Sequence, residues 1–137
     1  MNPQPRRLVV DSSALVALLA DAGQAGRWVA EAVTGTDLAA PQLAPFEVAN
    51  ILRRQVLSGH LSPVEATLAH ADLIVLQVEL WPYVPLAERV WELRENITAY
   101  DASYVALAEL LETTLVTLDA RLAKAPGPRC PIEVYNT

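Results

Sequence analysis

The chain has 137 residues, 53% of them hydrophobic and 19% charged, and 10 Lys and Arg against 16 Asp and Glu give a net charge of −6. That length suits one core rather than two, the composition excludes a disordered chain, and the acidic balance argues against a broad cationic surface for nucleic acid. A lone Cys130 rules out an internal disulfide, Asp11 spoils the N-terminal apolar stretch as a signal peptide, and no uncharged apolar run reaches the roughly 18 residues of a membrane helix, so a cytoplasmic protein is expected.

In chain order, "RRLVVD" is a short β-branched run that predicts a strand, and "SALVALLADA" takes helical spacing after it. Residues 24 to 34 predict a second helix stopped at Gly35, and "TDLAAP" a small buried strand. From Pro45 to Leu57 the apolar positions follow one helical face, with proline in the first turn. Ser62, Pro63 and Glu65 have the spacing of a capped helix start. "VELWPYVP" reads as a strand cut short by proline, and "LAERVWELREN" as a helix. A helix over about 98–112 follows, then the strand "TLVTLD", the short helix "ARLAKA" and a last strand, "IEVYN". Strands alternate with helices, which predicts an α/β fold with a mostly parallel sheet. No repeat or linker divides the chain, so residues 1–137 are expected to form a single domain.

Four carboxylates recur at one kind of place. Asp11 ends the first strand, Glu47 and Asp101 fall in the first turns of helices, and Asp119 follows the strand "LVT". In a parallel α/β sheet such junctions gather at the carboxyl edge, where ligand sites form. Each acid taken alone also fits a cap: Asp favours N-caps, a negative charge suits the first helical turn, and Thr98 with Asp101 has capping-box spacing. The set points further. Carboxylates brought within about 4–6 Å raise one another's pKa unless a cation neutralises them, and oxygen-only ligands suit Mg²⁺ or Mn²⁺. Ser13, Asn50 and Thr117 stand close by in sequence and can orient carboxylates or hold water. Such a metal supports phosphoryl chemistry. His60 and His70 have no metal-ligand partner in the pattern, Cys130 has no nearby His, and no glycine-rich phosphate loop occurs.

On these residues the chain resembles the PIN-domain family over nearly its whole length. "VVDSSALVALL", "APFEVANILRR", "ITAYDASYVALAELL" and "LVTLDARLA" look like the family's four acidic segments, and the length looks most like VapC-type toxins of toxin–antitoxin pairs. The resemblance implies a three-layer α/β/α fold. It further implies a Mg²⁺- or Mn²⁺-dependent endoribonuclease that leaves a 5′-phosphate and a 3′-hydroxyl, forms a homodimer and is held inactive by a VapB-type antitoxin. The acidic quartet carries over onto Asp11, Glu47, Asp101 and Asp119, with Ser13 and Thr117 in support. Setting the quartet aside leaves 12 acids against 10 bases, so RNA contact is expected to rest on a few arginines, with Arg53, Arg54, Arg94 and Arg121 as candidates.

Two other classes stay open at this point. One is a PIN-like binding module without turnover. The other is a different α/β phosphate enzyme or a phospho-receiver using Asp11, although Ser13 stands where a dehalogenase-type phosphatase places a second Asp and the only lysine is Lys124. Trp28, Val29, Val33, Leu52, Val56 and Leu57 offer an apolar face for dimerisation. Ala99, Ala102, Ser103 and Ala106 are expected to let the helix that carries Asp101 approach the sheet closely.

Overall fold

The computed structural model describes residues 6–136. Five strands, β1 (Arg6–Val10), β2 (Thr36–Pro41), β3 (Val78–Trp81), β4 (Leu115–Thr117) and β5 (Ile132–Val134), form one sheet in the order β3-β2-β1-β4-β5. Every pairing is parallel, so the sheet is parallel throughout. Seven helices connect and cover it: α1 (Ser12–Ala20), α2 (Gln24–Val33), α3 (Ala44–Leu57), α4 (Pro63–Val75), α5 (Ala87–Glu92), α6 (Ala99–Leu110) and α7 (Ala120–Lys124). The first four pack among themselves, while α5 packs on α6, giving the α/β/α arrangement expected. A sheet covered on both faces needs continuous apolar strands, and Leu8, Val9, Val10, Ala39, Ala40, Leu115 and Val116 are all buried.

Helix α6 lies against β1, β2 and β4, and residues 102 to 108 are buried without a break. Ala102, Ser103 and Ala106 give the close approach expected of small side chains, but Ala99 is exposed because it lies at the first position, clear of the sheet. At the other end of the chain, Gly26 lets α2 turn back tightly on α1. A Cβ there would stand 1.8 Å from the Asp21 carbonyl oxygen.

Two surface readings change in three dimensions. Val29 and Leu52 are core residues at 0% and 3% exposure, and Trp28 packs its ring 5.7 Å from that of Tyr135. Of the apolar set proposed for dimerisation, only Leu57 is fully exposed, because the face common to α2 and α3 is spent on the interior. The indole N–H of Trp81, at the end of β3, is shielded from water and has no acceptor among the described residues. An unmet buried donor of this kind costs about 1–3 kcal/mol. Among the described residues, no helix is long and apolar enough to cross a membrane.

Candidate active site

The chain runs from β1 outward to β2 and β3 on one side, then returns to β4 and β5 on the other. The order therefore reverses between β1 and β4, and a crevice opens there at the carboxyl edge. Asp11 is the first residue beyond β1, and its N–H donates to the Val116 carbonyl at 3.1 Å. Its buried carboxylate accepts at Oδ1 from Ser13 Oγ (2.6 Å) and the Ala14 N–H (2.9 Å), and at Oδ2 from the Thr117 hydroxyl. Those hydroxyls are themselves fixed from the β4 side: Ser13 Oγ accepts from the Leu118 N–H at 3.0 Å, and Thr117 Oγ1 from the Asp119 N–H at 2.9 Å. Ser13 and Thr117 thus lace the two strand ends together around Asp11.

Glu47 stands half-buried in the first turn of α3. The Tyr104 hydroxyl, reaching across from α6, donates to its Oε1 at 2.6 Å. Tyr104 is 1% exposed, and burial together with the Glu47 charge raises its pKa, so the phenol stays a proton donor. Sequence reasoning missed Tyr104 because a tyrosine on the apolar face of a helix reads as core. The available signal was its hydroxyl, since a buried phenol needs a partner.

Asp101 sits in the first turn of α6, where its N–H donates to Thr98 Oγ1 at 3.1 Å. The helix start at Ser62 makes both bonds of a capping box, with Glu65 returning to the Ser62 N–H at 3.0 Å. At Thr98 that return bond from the Asp101 carboxylate to the Thr98 N–H is not made, so the reciprocal capping box is incomplete there. Asp119 caps α7 and turns toward Arg121. Its Oδ1 accepts from the Arg121 N–H (3.0 Å) and Nε (3.2 Å), and its Oδ2 from Nη2 (3.2 Å).

The four acids feel one another. Burial raises the pKa of Asp11 most, its hydrogen bonds oppose this, and the Asp101 charge adds to it. Burial also leads for Glu47, opposed by Tyr104 and reinforced by Asp101 and Asp11. For Asp101, burial and the Asp119 charge raise the pKa against Arg121 and Thr98. Asp119 alone is lowered, first through its hydrogen bond from Arg121. Three carboxylates are therefore held in a state that costs energy when ionised, which a cation would relieve. The donors are all oxygen, and this chemistry fits a hard divalent ion. As the side chains stand, no three His, Cys, Asp or Glu among the described residues are gathered into a ligand set. Asp119, held by Arg121, is the carboxylate with an exposed cation already on it.

Two clefts flank this centre. One, of about 490 Å³, is lined by Asp101 and Asp119 with Arg94 and Arg121. The other, of about 520 Å³, runs from Ser13 and Leu118 to Arg54 and His60. Arg94 lies over the Trp91 ring at 4.6 Å and donates to the Trp91 carbonyl at 2.8 Å. Arg53 and Asn50 are exposed on α3 and line neither cleft, so the structure does not bring them to the acids. His60 Nδ1 pairs with Ser58 Oγ at 2.6 Å on the surface, and His70 is exposed on α4.

The family model described as PIN domain matches residues 8–128. Ribonuclease VapC9 of Mycobacterium tuberculosis is 42% identical over 127 residues, spanning 93% of this chain and 97% of that protein. Among solved structures, PAE2754 from Pyrobaculum aerophilum superposes with a TM-score of 0.67 at 30% identity, covering 94% of this chain and 84% of its own. VapBC2 from Rickettsia felis, solved bound to a DNA fragment of its promoter, shares the fold with a TM-score of 0.67 at 13% identity, covering 95% of this chain and 99% of that one.

Proposed function

The chain belongs to the PIN-domain family, and from that premise we propose that it is a VapC-type endoribonuclease, the toxin of a toxin–antitoxin pair, with Asp11, Glu47, Asp101 and Asp119 as its acidic centre. The observation that carries the reading is that these four carboxylates stand at helix starts, two of them, Asp11 and Asp119, just after the strands between which the order reverses. They would hold Mg²⁺ or Mn²⁺, which when bound supplies Lewis acidity and charge neutralisation to a phosphodiester. Asp11 is the fixed member, immobilised by Ser13, Thr117 and the Ala14 N–H. Glu47 is oriented by Tyr104. Asp101, half-buried, is suited to accept at its carboxylate a proton from the attacking water, since burial and Asp119 favour its protonated form. Water adds to phosphorus, the P–O3′ bond breaks, and the 3′ oxygen takes a proton from solvent to leave as a hydroxyl, giving a 5′-phosphate on the other fragment.

Arg94 and Arg121, in the cleft beside Asp101 and Asp119, are the arginines best placed to meet RNA phosphates, and Arg54 serves the second cleft. Arg53 and Asn50 have no such support. A VapB-type antitoxin as partner, a homodimer and a cytoplasmic setting complete the proposal. The test is incubation of purified protein with RNA and Mn²⁺, with and without EDTA, and mapping of the product ends. Cleavage that persists in EDTA, or that leaves 2′,3′-cyclic ends, would defeat the metal-and-water mechanism.

A further inference from the structure

At the carboxyl ends of β2 and β3 lies a third cavity, of about 260 Å³, lined by Pro41, Gln42, Leu43, Trp81, Tyr83, Leu86, Ala99, Tyr100 and Ser103. Tyr100 and Tyr83 are exposed aromatics at 64% and 57%, and neither hydroxyl has a hydrogen-bond partner among the described residues. Trp81 contributes an indole whose N–H has no acceptor among the described residues. Gln42 is exposed, and its side-chain amide is equally without a partner among the described residues.

The cavity adjoins the acidic centre through the chain itself. Tyr100 immediately precedes Asp101, and the Leu43 carbonyl accepts the Glu47 N–H at 3.1 Å at the start of α3. Ser103, in its lining, precedes the tyrosine that holds Glu47. An RNA strand whose phosphodiester lay at Asp101 would bring a neighbouring nucleotide toward Tyr100, the residue next to it in the chain.

We propose that the cavity binds one unpaired nucleobase next to the scissile phosphate, stacked on Tyr100 and offering a keto oxygen to the Trp81 N–H. The proposal rests on the ribonuclease reading above and narrows it to RNA single-stranded at the cut. Its volume is small for a peptide segment and of the right order for one flat heterocycle. Exposed aromatic rings beside a phosphate site are the usual platform for unstacked bases. The orphaned N–H supplies what stacking lacks, a preference among bases, because a site built to hydrogen-bond a substrate group rejects an analogue without it. That N–H is shielded in the free chain, so the base must part the cavity wall to reach it. Gln42, with both donor and acceptor at the rim, reads the base edge.

Three proteins test this: the parent, Trp81→Phe, which keeps a ring but removes the donor, and Tyr100→Ala, an exposed change. Each is given a randomised single-stranded RNA pool with Mn²⁺, and the bases flanking the cuts are sequenced; steady-state constants follow on the preferred sequence. The parent is expected to disfavour A, the one base without a carbonyl oxygen, at one flanking position. Trp81→Phe should flatten that preference, and Tyr100→Ala should raise KM by about tenfold, the scale of one lost base stack. If both variants keep the parent's base profile, the pocket is overturned while the ribonuclease stands, even if Tyr100→Ala weakens self-association or antitoxin binding instead. A metal-free arm separates the two readings. Saturation-transfer NMR of the dinucleotide UpA should show transfer to uracil protons in the parent and loss of it in Tyr100→Ala. If the parent cuts no RNA, the ribonuclease reading falls and this arm decides the pocket, absence of transfer in the parent overturning it.

Discussion

Asp11 and Asp119 leave neighbouring strands at the same sheet edge, yet they stand in opposite situations. Asp11 is 6% exposed, holds only neutral donors, and has its pKa raised by burial. Asp119 lies at the rim, holds a guanidinium, and has its pKa lowered by it. Neutral hydroxyls fix a carboxylate without cancelling its charge, so Asp11 remains an unsatisfied anion in a rigid seat. A flexible arginine cancels the charge but can swing away. The four acids thus include a fixed anchor with no cation beside it and a rim group that already has one in Arg121.

The strongest way to break this contrast is at the anchor. Asp11→Asn should lower RNA cleavage by on the order of a thousandfold, the scale of removing one preorganised electrostatic group. In EDTA, the same variant should melt at or above the parent, because the raised pKa marks a charge that opposes folding. Asp119→Asn should also lose cleavage, but should melt slightly below the parent in EDTA. Melting curves that move in the same direction for both variants would erase the distinction.

Asp101 sharpens it next. Mn²⁺ at 100 times its dissociation constant should stabilise the parent by about 2.7 kcal/mol by mass action. Asp101→Asn should lose most of that gain while melting no lower in EDTA, because relief of repulsion offsets the lost interaction with the helix dipole. A variant that gains as much from Mn²⁺ as the parent would make Asp101 a helix-start residue only.

The pH dependence follows from the directions of shift. Asp11, Glu47 and Asp101 have raised folded-state pKa values, so their contribution to stability is fully present below the unfolded value of about 4 and is lost as pH rises through each folded value. Asp119 runs the other way, contributing above the unfolded value and losing it as pH falls through the lowered one. The three outnumber the one. Metal-free protein should therefore lose melting temperature as pH rises from about 4 toward neutrality, and saturating Mn²⁺ should flatten the slope. Melts across that range with and without Mn²⁺ measure both limbs.

The smallest effect is expected at the rim. Arg121→Ala removes the provisional cation, so Mn²⁺ should bind about two- to fivefold more tightly by titration calorimetry, the scale of an exposed ion pair, while RNA affinity falls. Unchanged Mn²⁺ affinity would mean that the guanidinium leaves Asp119 at no cost.

How much of this could be read beforehand depends on where each interaction lives. Strand and helix order was legible because apolar period, proline and Ser62-type starts are local signals, and the four acids were visible because all lie at junctions. The partners of the acids were legible only where they are near in sequence or strand-adjacent, as Ser13 and Thr117 are. Tyr104 and Glu47 are 57 residues apart and meet only when α3 and α6 pack. Exposure was misread on α2 and α3, where a periodic apolar face could not reveal that Val29 and Leu52 turn inward. Asn50 and Arg53, neighbours of Glu47 in sequence, are exposed along α3 and line neither cleft.

The hydrogen bond from Thr117 to Asp11 spans 106 residues. The anchor carboxylate is thus made well before the strand end that steadies it. Through that interval a growing chain carries Asp11 without the hydroxyl or the β4 backbone that seat it, and Asp119 is still to come. The carboxylate is therefore seated only when the sheet closes around its central strand, by the pairing of β1 with β4.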